Sequence, residues 1–425
     1  MTKEIHKNKP ELLAPAGTLD ILKIALMYGA DAVYCGTPDF AMRARVGFTL
    51  EDLEEGIKFA HKLGKKVYVT INAFPHPEDI EMAEKHIKTI VDLGPDALIV
   101  ADPGLVSYIH TNFDIPIHLS TQASTTNHLA AKFWQEQGAE RIVLARELSL
   151  AEITFIHEKL PDLEIETFVH GAMCMAYSGR CQISNYMTGR DPNQGQCVQA
   201  CRFKYKTYAL EEQMRPDEYF PVIEDEEGTH ILNSKDLCMI EFIPELVKAG
   251  VISLKIEGRL KSEYYVAAVV RAYRKAIDAV FTDQYDKKMI ADLKADIEKT
   301  ASRGFTTGFY FNKPDQNTNN YATSRAESTW GYIGRVISYD KEKGMLTFEA
   351  KNYLPINSNL EIMTPDETIS YINEKMFVKS HAAKAGDPVG SPTVSVGAEL
   401  VHANTIVTIP LGTEVPTDSL IRIKL

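Results

Sequence analysis

The stretch "KKVYVTINAFPHPEDIEMAEKHIKTIVDLGPDALIVAD", residues 65–102, carries the clearest signal of the fold. It opens with an apolar run of strand composition and continues through a segment whose apolar residues recur at helical spacing. Gly94 closes the helical segment, as is common where helices end, and a second apolar run follows. Strands that are buried on both faces are apolar throughout, so the stretch predicts two parallel strands joined by a helix.

The same unit recurs across the first 280 residues. Eight apolar runs of strand length alternate with helical segments, and they lie at 11–17, 31–37, 65–73, 96–102, 116–124, 140–147, 164–172 and 252–259. An open doubly wound sheet gives the same alternation but usually has fewer strands. The eight repeats therefore predict an α/β fold, a (β/α)8 barrel of TIM type over residues 1–280.

One connection of this predicted barrel is unusually long. Residues 173–237 form an insertion after the seventh strand, and insertions after barrel strands lie on the catalytic face. Residues 281–329 are polar and mixed, which predicts a linker. Residues 330–425 consist of short alternating runs broken by Gly, Asn, Asp and Pro. This last pattern predicts a small all-β domain, in the form of a closed barrel.

Charge and hydrophobicity limit the class of protein. The chain has 425 residues and a net charge of −12, and 44% of its residues are hydrophobic. We expect a cytoplasmic protein without a membrane partner, because no signal-peptide pattern or membrane-length apolar run occurs. The acidic total argues against a protein that coats nucleic acid. RNA could still bind local basic stretches at 202–206, 259–261 and 271–275.

Four of the six cysteines lie close together in the long insertion. They are Cys174, Cys181, Cys197 and Cys201. In a reducing compartment such a group indicates metal binding, and four thiolates can hold zinc or an iron–sulfur cluster. The wide gaps between these cysteines favour the cluster over zinc. Buried thiols without a metal are the third interpretation.

Polar side chains also follow the predicted strands. They are Arg43, Arg45, Asn72, Asp102, Gln122, Ser124, Arg146, His170, Glu257 and Arg259. Each alone could be a helix cap or salt-bridge partner, but the carboxyl ends of the strands meet at one barrel mouth. We predict that His170 and Glu257 transfer protons. Six residues are predicted to bind a small anionic substrate: Arg43, Arg45, Asn72, Gln122, Arg146 and Arg259.

Several longer stretches resemble hallmark sequences of the peptidase U32 family, also called collagenase-like proteases. Examples are "ELLAPAG" (11–17), "FVHGAMCMAYSGRC" (168–181), "PNQGQCVQACR" (192–202) and "SLKIEGRLKSEYYV" (253–266). The resemblance covers the barrel region and extends to that family's small C-terminal β-barrel. It implies an oxygen-sensitive 4Fe–4S cluster on this loop and hydroxylation of RNA or of a quinone precursor. The chain carries no HExxH or GxSxG motif of a hydrolase.

The stretch "RDPNQGQCVQACR" (190–202) resembles one branch of the family in particular. That branch is similar to proteins that hydroxylate the wobble uridine of tRNA at position 5, with prephenate as co-substrate. The resemblance implies three partners: the anticodon region of tRNA, a small carboxylate, and a second family member as a partner subunit. The alternatives are a U32-type peptidase, a sister activity on rRNA or a quinone precursor, and a non-catalytic scaffold.

The resemblance also implies which cysteines hold the cluster. Cys174, Cys181 and Cys197 match the family's cluster cysteines. We expect Cys201 to be the fourth ligand, because the short CxxxC loop presents two sulfurs together. Cys238 is the rival for this position, although it lies where a buried thiol is the plainer explanation.

Overall fold

The computed structural model of this chain describes residues 9–38, 47–174, 177–178, 223–225, 228–230, 234–300, 302–312, 328–372, 377–379 and 400–425. The chain divides into two compact units. The first consists of Met1–Glu298 and Ser302–Glu327, and the second of Lys299–Ala301 and Ser328–Leu425. Among the described residues, no helix has the length and apolar content needed to cross a lipid bilayer.

The first unit is built on a closed ring of parallel strands. Its strands are β1 (Glu11–Pro15), β2 (Ala32–Cys35), β3 (Lys66–Ile71), β4 (Ala97–Val100), β5 (Ile117–Leu119), β6 (Ala139–Val143), β7 (Glu164–Ala172), β8 (Ile223–Asp225), β9 (Gly228–His230), β10 (Asp236–Cys238), β11 (Ser253–Ile256) and β12 (Phe305–Thr306). Strands β1 to β7 pair in sequence order, and β11 closes the ring by pairing with both β7 and β1. The predicted (β/α)8 barrel is confirmed.

Helices lie between the ring strands and after the last of them. They are α1 (Leu19–Met27), α2 (Leu50–Lys62), α3 (Ile80–Asp92), α4 (Pro103–Asn112), α5 (His128–Glu136), α6 (Leu150–Lys159), α7 (Ile243–Lys248), α8 (Glu263–Phe281) and α9 (Lys287–Glu298). Side-chain caps start several of them, and Asp102 is one. Its Oδ1 accepts a hydrogen bond of 2.9 Å from the Leu105 N–H. This strand-end carboxylate is therefore a helix cap.

The barrel interior contains a buried network of charged groups. Glu166 is fully buried, and its Oε1 accepts a 2.7 Å hydrogen bond from Lys255 Nζ. Its Oε2 lies 3.3 Å from Nη1 of Arg141, which also binds Glu11 at 2.6 Å. Burial alone would raise the pKa of Glu166, but the two cations outweigh it and hold the pKa below its usual value. The interior is therefore a packed, ion-paired core.

The segment expected to be a linker adds structure to the first unit instead. Helix α9 packs against α8, and its Ile290 and Ile297 are buried. Asp296 of α9 accepts a 2.6 Å hydrogen bond from Arg271 of α8. Strand β12 pairs with β10, which runs antiparallel to β7. Because this polar segment has a buried apolar face, α9 belongs to the first unit, which continues past residue 281 where a linker was expected.

The second unit is a small antiparallel β-structure. Its strands are β13 (Trp330–Asp340), β14 (Met345–Ala350), β15 (Leu354–Pro355), β16 (Asn359–Met363), β17 (Thr368–Ile372), β18 (Phe377–Lys379), β19 (Leu400–Val401), β20 (Thr405–Pro410) and β21 (Leu420–Lys424). Seven of them form one sheet in the order β17-β16-β21-β13-β14-β20-β18. Within the described part of this unit β17 and β18 do not pair with each other, which gives a half-barrel. The predicted all-β domain is confirmed.

Candidate functional site

The carboxyl ends of the ring strands form a mouth, and one wall of it is a network of amide and hydroxyl groups. Asn72 Nδ2 donates a 3.3 Å hydrogen bond to Ser120 Oγ, which donates one of 3.1 Å to Gln122 Oε1. Gln122 Nε2 in turn donates to the Asn72 carbonyl oxygen at 2.7 Å. All three side chains are buried. The structure therefore brings Asn72 and Gln122 together, and their binding role stays a prediction.

Arg259 lies three residues after β11 and contacts β3, the strand that Asn72 follows. Its Nη1 donates a 2.8 Å hydrogen bond to Thr70 Oγ1, and its guanidinium carbon lies 5.9 Å from the centre of the Tyr34 ring. Thr70 belongs to β3 and Tyr34 to β2, so the side chain reaches across the ring from its eighth strand. Only 7% of Arg259 is exposed. A buried guanidinium keeps its charge, and it is therefore a strong anchor for an anion.

Arg146 is partly committed to the protein itself. Its Nη1 donates a 2.7 Å hydrogen bond to the carbonyl oxygen of Ala172 at the end of β7. The guanidinium carbon lies 4.3 Å from the centre of the Phe168 ring. The Nε atom is buried and has no hydrogen-bond partner among the described residues. Arg146 therefore supports the β7 loop with one nitrogen and keeps another for a ligand.

Glu257 lies at the mouth, where β7 and β11 approach most closely. Its N–H donates a 2.8 Å hydrogen bond to the His170 carbonyl oxygen. Gly171 has φ +106°, and a Cβ atom there would lie 2.6 Å from the Glu257 carbonyl oxygen, so only glycine fits. The half-buried Glu257 side chain remains the predicted proton-transfer group.

His170, the other predicted proton-transfer residue, is buried, and its role stays a prediction. The pairing of β7 with β11 shifts register between Phe168 and His170, so one extra residue of β7 is inserted there. Such a bulge re-aims the side chains that follow it. The His170 ring lies 5.5 Å from that of Tyr273 and 5.6 Å from that of Phe305, and its Nδ1 lies 3.4 Å from the Tyr273 hydroxyl. Burial lowers the imidazole pKa to about 3, so His170 stays neutral near pH 7.

This burial predicts that His170→Phe makes folding less sensitive to acid. In the unfolded chain a histidine binds a proton below about pH 6.5, whereas folded His170 does not until about pH 3. Wild-type stability therefore falls through this window, by about 1.4 kcal/mol per pH unit for this group. Urea unfolding at pH 7 and pH 5 should show a drop smaller by about 2 kcal/mol in the variant. An equal drop in both proteins would contradict the assignment.

Cys174 is the proposed cluster cysteine that the structure describes. It follows the end of β7 by two residues and is exposed at the mouth end of the barrel. The other proposed ligands and two of the predicted arginines lie outside the described residues: Cys181, Cys197, Cys201, Arg43 and Arg45. Among the described residues no group of three or more His, Cys, Asp or Glu side chains could hold a metal ion.

Cys238, the rival for the position of fourth ligand, is buried. It pairs with His170 across β10 and β7, and His170 precedes Cys174 by four residues. Its sulfur lies 3.9 Å from the Tyr273 hydroxyl, and burial raises the pKa of its thiol to about 11. A metal that binds a thiol deprotonates it, so this pKa does not exclude Cys238 as a ligand. Cys201 lies outside the described residues, and its choice as the fourth ligand stays a prediction.

Both arginines of the basic stretch 271–275 form ion pairs within the protein. Arg271 pairs with Asp296 at 2.6 Å, and Arg274 pairs with Asp31 at 2.8 Å. Both guanidinium groups are therefore neutralised by carboxylates of the barrel. The sequence reveals the arginines but not their carboxylate partners, which are distant along the chain.

Comparison with known protein families gives one match over most of the barrel. Residues 17–320 match the model of the family described as Peptidase family U32. The tRNA hydroxylation protein P of Escherichia coli is 42% identical over 407 residues, which cover 87% of this chain and 89% of that protein. The tRNA hydroxylation protein P of Haemophilus influenzae is 40% identical over 412 residues, with the same coverage.

A third relative acts on a different RNA. The 23S rRNA 5-hydroxycytidine synthase of Escherichia coli is 38% identical over 314 residues. These residues cover 72% of this chain but only 46% of that protein. The two tRNA hydroxylation proteins are therefore matched over most of their length, whereas the rRNA synthase is matched over less than half of its length.

Proposed function

We propose that this chain, which belongs to peptidase family U32, is an enzyme that hydroxylates tRNA. The observation that carries the proposal is the 42% identity to a tRNA hydroxylation protein, which extends over 89% of that protein. The finer proposal is 5-hydroxylation of the wobble uridine with prephenate, or a similar small carboxylate, as co-substrate. The partner on the RNA side is the anticodon region, where unpaired bases can enter a pocket.

The barrel mouth supplies groups that suit a carboxylate. Arg259 offers a buried cation, and Arg146 offers a buried Nε donor. The Asn72 side chain is held by Ser120, and the Gln122 side chain by Ser120 and the Asn72 carbonyl oxygen, so the two amides form a rigid polar wall. Charge-assisted hydrogen bonds from a guanidinium fork give both strength and orientation to a carboxylate. Glu257 is the proposed proton-transfer group beside this pocket.

The proposed cofactor is a 4Fe–4S cluster on Cys174, Cys181, Cys197 and Cys201, with zinc as the alternative. Such a cluster supplies one-electron redox chemistry when bound. The supporting observation is the exposure of Cys174 at the same end of the barrel as Arg146 and Glu257. A redox cofactor at this end would lie on the side of the barrel where the predicted substrate groups converge.

The peptidase alternative has less support. A cysteine peptidase needs a histidine base within hydrogen-bond reach of its thiol. His170 is the nearest histidine to Cys174 in the sequence, but it is fully buried against aromatic rings and has a pKa of about 3. It therefore cannot activate Cys174 at neutral pH.

The function is tested by complementation. A strain of Escherichia coli that lacks its tRNA hydroxylation protein P would express this chain, and digested tRNA would be analysed for hydroxylated uridine by mass spectrometry. We expect the modification to return, while 5-hydroxycytidine in rRNA stays unchanged. If hydroxycytidine alone rises, the sister rRNA activity is correct; if neither changes and gelatin is cleaved, the peptidase alternative is correct.

The cofactor proposal predicts that Cys174→Ser removes most of the iron and sulfide from the anaerobically purified protein. A serine hydroxyl is not deprotonated near neutral pH, so it cannot replace the thiolate ligand. Iron and sulfide assays with an absorption spectrum measure the loss. Cys238→Ser decides between the two candidates for the fourth ligand: we expect it to retain the cluster, and loss of iron and sulfide would make Cys238 the ligand in place of Cys201. Colourless wild-type protein containing zinc would refute the cluster.

A further inference from the structure

Two consecutive residues after β6 hold the segment that carries Cys174 on both sides of this cysteine. Arg146 donates to the carbonyl oxygen of Ala172, two residues before Cys174, at 2.7 Å. The Glu147 carboxylate accepts a 2.9 Å hydrogen bond from the Ser178 N–H, four residues after Cys174. Its second oxygen accepts a 3.1 Å hydrogen bond from the Ser178 hydroxyl. The two residues therefore hold Ala172 and Ser178, one on each side of Cys174.

A third contact comes from the loop after β5. The Ser124 hydroxyl donates a short hydrogen bond to the Ser178 carbonyl oxygen. Ser124 itself has φ +52°, an uncommon left-handed conformation for a residue other than glycine. The N–H, hydroxyl and carbonyl groups of Ser178 are all hydrogen-bonded, and only 8% of the residue is exposed. Ser178 is thus a buried residue whose polar groups are all bound within the protein.

We infer that Glu147 and Ser124 are positioning residues for Cys174 in the proposed cluster, because both hold Ser178, four residues after this cysteine. The anchored Ser178 lies between Cys174 and Cys181 in the sequence. This inference rests on the proposed function, in which both cysteines bind the cluster. Ligands that are ordered before the cofactor binds lose less conformational entropy on binding. Groups that orient metal ligands affect both affinity and redox potential.

The charge of Glu147 gives the anchor its strength. A carboxylate that accepts hydrogen bonds from a backbone N–H and a hydroxyl forms bonds stronger than those between neutral groups. The substitution Glu147→Gln would keep one acceptor oxygen but lose the negative charge. The substitution Glu147→Ala would remove both acceptors and leave the buried Ser178 N–H without its partner. The strength of the hydrogen bonds that hold Ser178 should therefore fall from glutamate to glutamine to alanine at position 147.

The test compares Glu147→Ala, Glu147→Gln and the control Glu158→Ala, in which an exposed carboxylate of α6 is removed. Hydrogen exchange of the metal-free proteins is measured first. We expect amides of residues 173–181 to exchange about tenfold faster in Glu147→Ala, the size expected for losing a charge-assisted hydrogen bond. Glu147→Gln should be intermediate and Glu158→Ala unchanged. Equal thermal midpoints would show that the variants are folded.

The second measurement concerns the cluster itself. Anaerobically purified proteins are treated with an iron chelator, and iron release and the electron paramagnetic resonance spectrum of the reduced cluster are recorded. We expect Glu147→Ala to release iron about tenfold faster than wild type and to show an altered spectrum. Faster exchange of the loop with unchanged iron release and spectrum would overturn the inference and leave Glu147 as a structural anchor only.

Different outcomes would contradict the cofactor proposal and the positioning role. If the wild type contains no iron and sulfide, the proposed cofactor is wrong, and the positioning role falls with it. If the wild type holds a cluster and Glu147→Ala holds it equally well, only the positioning role is wrong. Neither readout depends on tRNA hydroxylation, so they are independent of the proposed RNA substrate.

Discussion

Replacing Glu166 by alanine is expected to lower the free energy of unfolding of the barrel by about 3–5 kcal/mol. Glu166 is fully buried and binds Lys255 at 2.7 Å, with Arg141 at 3.3 Å. Both cations are themselves almost completely buried. Without the carboxylate, Lys255 would be left as an uncompensated charge in a medium of low polarity. This cost exceeds the loss of the attraction itself.

A neighbouring carboxylate provides the matched control. Glu164 also binds Arg141, at 2.8 Å, but its side chain is 48% exposed. Glu164→Ala should therefore cost no more than about 1 kcal/mol, as is usual for exposed ion pairs. Urea unfolding of both variants measures the difference. A double variant, Glu166→Met with Lys255→Met, should recover much of the loss, because no unpaired charge remains.

The effect of Glu166 should also depend on pH in a defined direction. The cations hold the pKa of this carboxyl below its usual value in the folded barrel. Its contribution is therefore fully present above the unfolded pKa of about 4.3 and is lost as the pH falls through the folded pKa. The difference between wild type and Glu166→Ala should shrink in acid. A loss of stability equal to that of Glu164→Ala would contradict the buried network.

Arg259→Ala is expected to lower tRNA hydroxylation in complemented cells by about ten- to a hundredfold, the effect of losing a charge-assisted pair. The physical reason is the loss of the buried cation that would hold the co-substrate carboxylate. Arg259→Lys keeps the charge but loses the planar fork, so it should also be impaired. The measurement is the fraction of hydroxylated uridine in tRNA at equal protein levels.

The variant Thr70→Val distinguishes co-substrate binding by Arg259 from a purely structural role of this arginine. It removes the hydroxyl that accepts the 2.8 Å hydrogen bond from Arg259 but leaves the guanidinium in place. We expect Thr70→Val to retain most of the hydroxylation that Arg259→Ala loses. Equal losses in the two variants would show that Arg259 supports the barrel mouth and does not bind the co-substrate.

The fold of this chain could be predicted because its signals are local and repeated. Each parallel strand is covered on both faces, so it appears as an apolar run, and a helical period follows it. Helix α9 was missed because only a few apolar positions, Ile290 and Ile297 among the buried ones, identify its packed face. The buried ion network was also missed. Glu11, Arg141, Glu166 and Lys255 lie in four strands that are distant along the chain.

The candidate site was predicted in part. Asn72 and Gln122 were found because parallel strands bring their carboxyl ends to one mouth. The burial of His170 could not be predicted, because a single inserted residue in β7 changes the face on which the side chain lies. The contact between Ser178 and Glu147 could not be predicted, since serine and glutamate are both common in loops.

The eight-stranded barrel, the all-β second unit and the group of cysteines after the seventh strand all follow from the amino-acid sequence alone. Apolar periodicity and residue spacing are properties of neighbouring residues, so they can be recognised in the sequence without a structure. The folded molecule is needed to learn which polar side chains face the mouth, which ones are spent on pairs inside the protein, and what anchors the loop after Cys174. Those outcomes depend on strand register and on contacts between distant segments, which one bulge or one buried partner is enough to change.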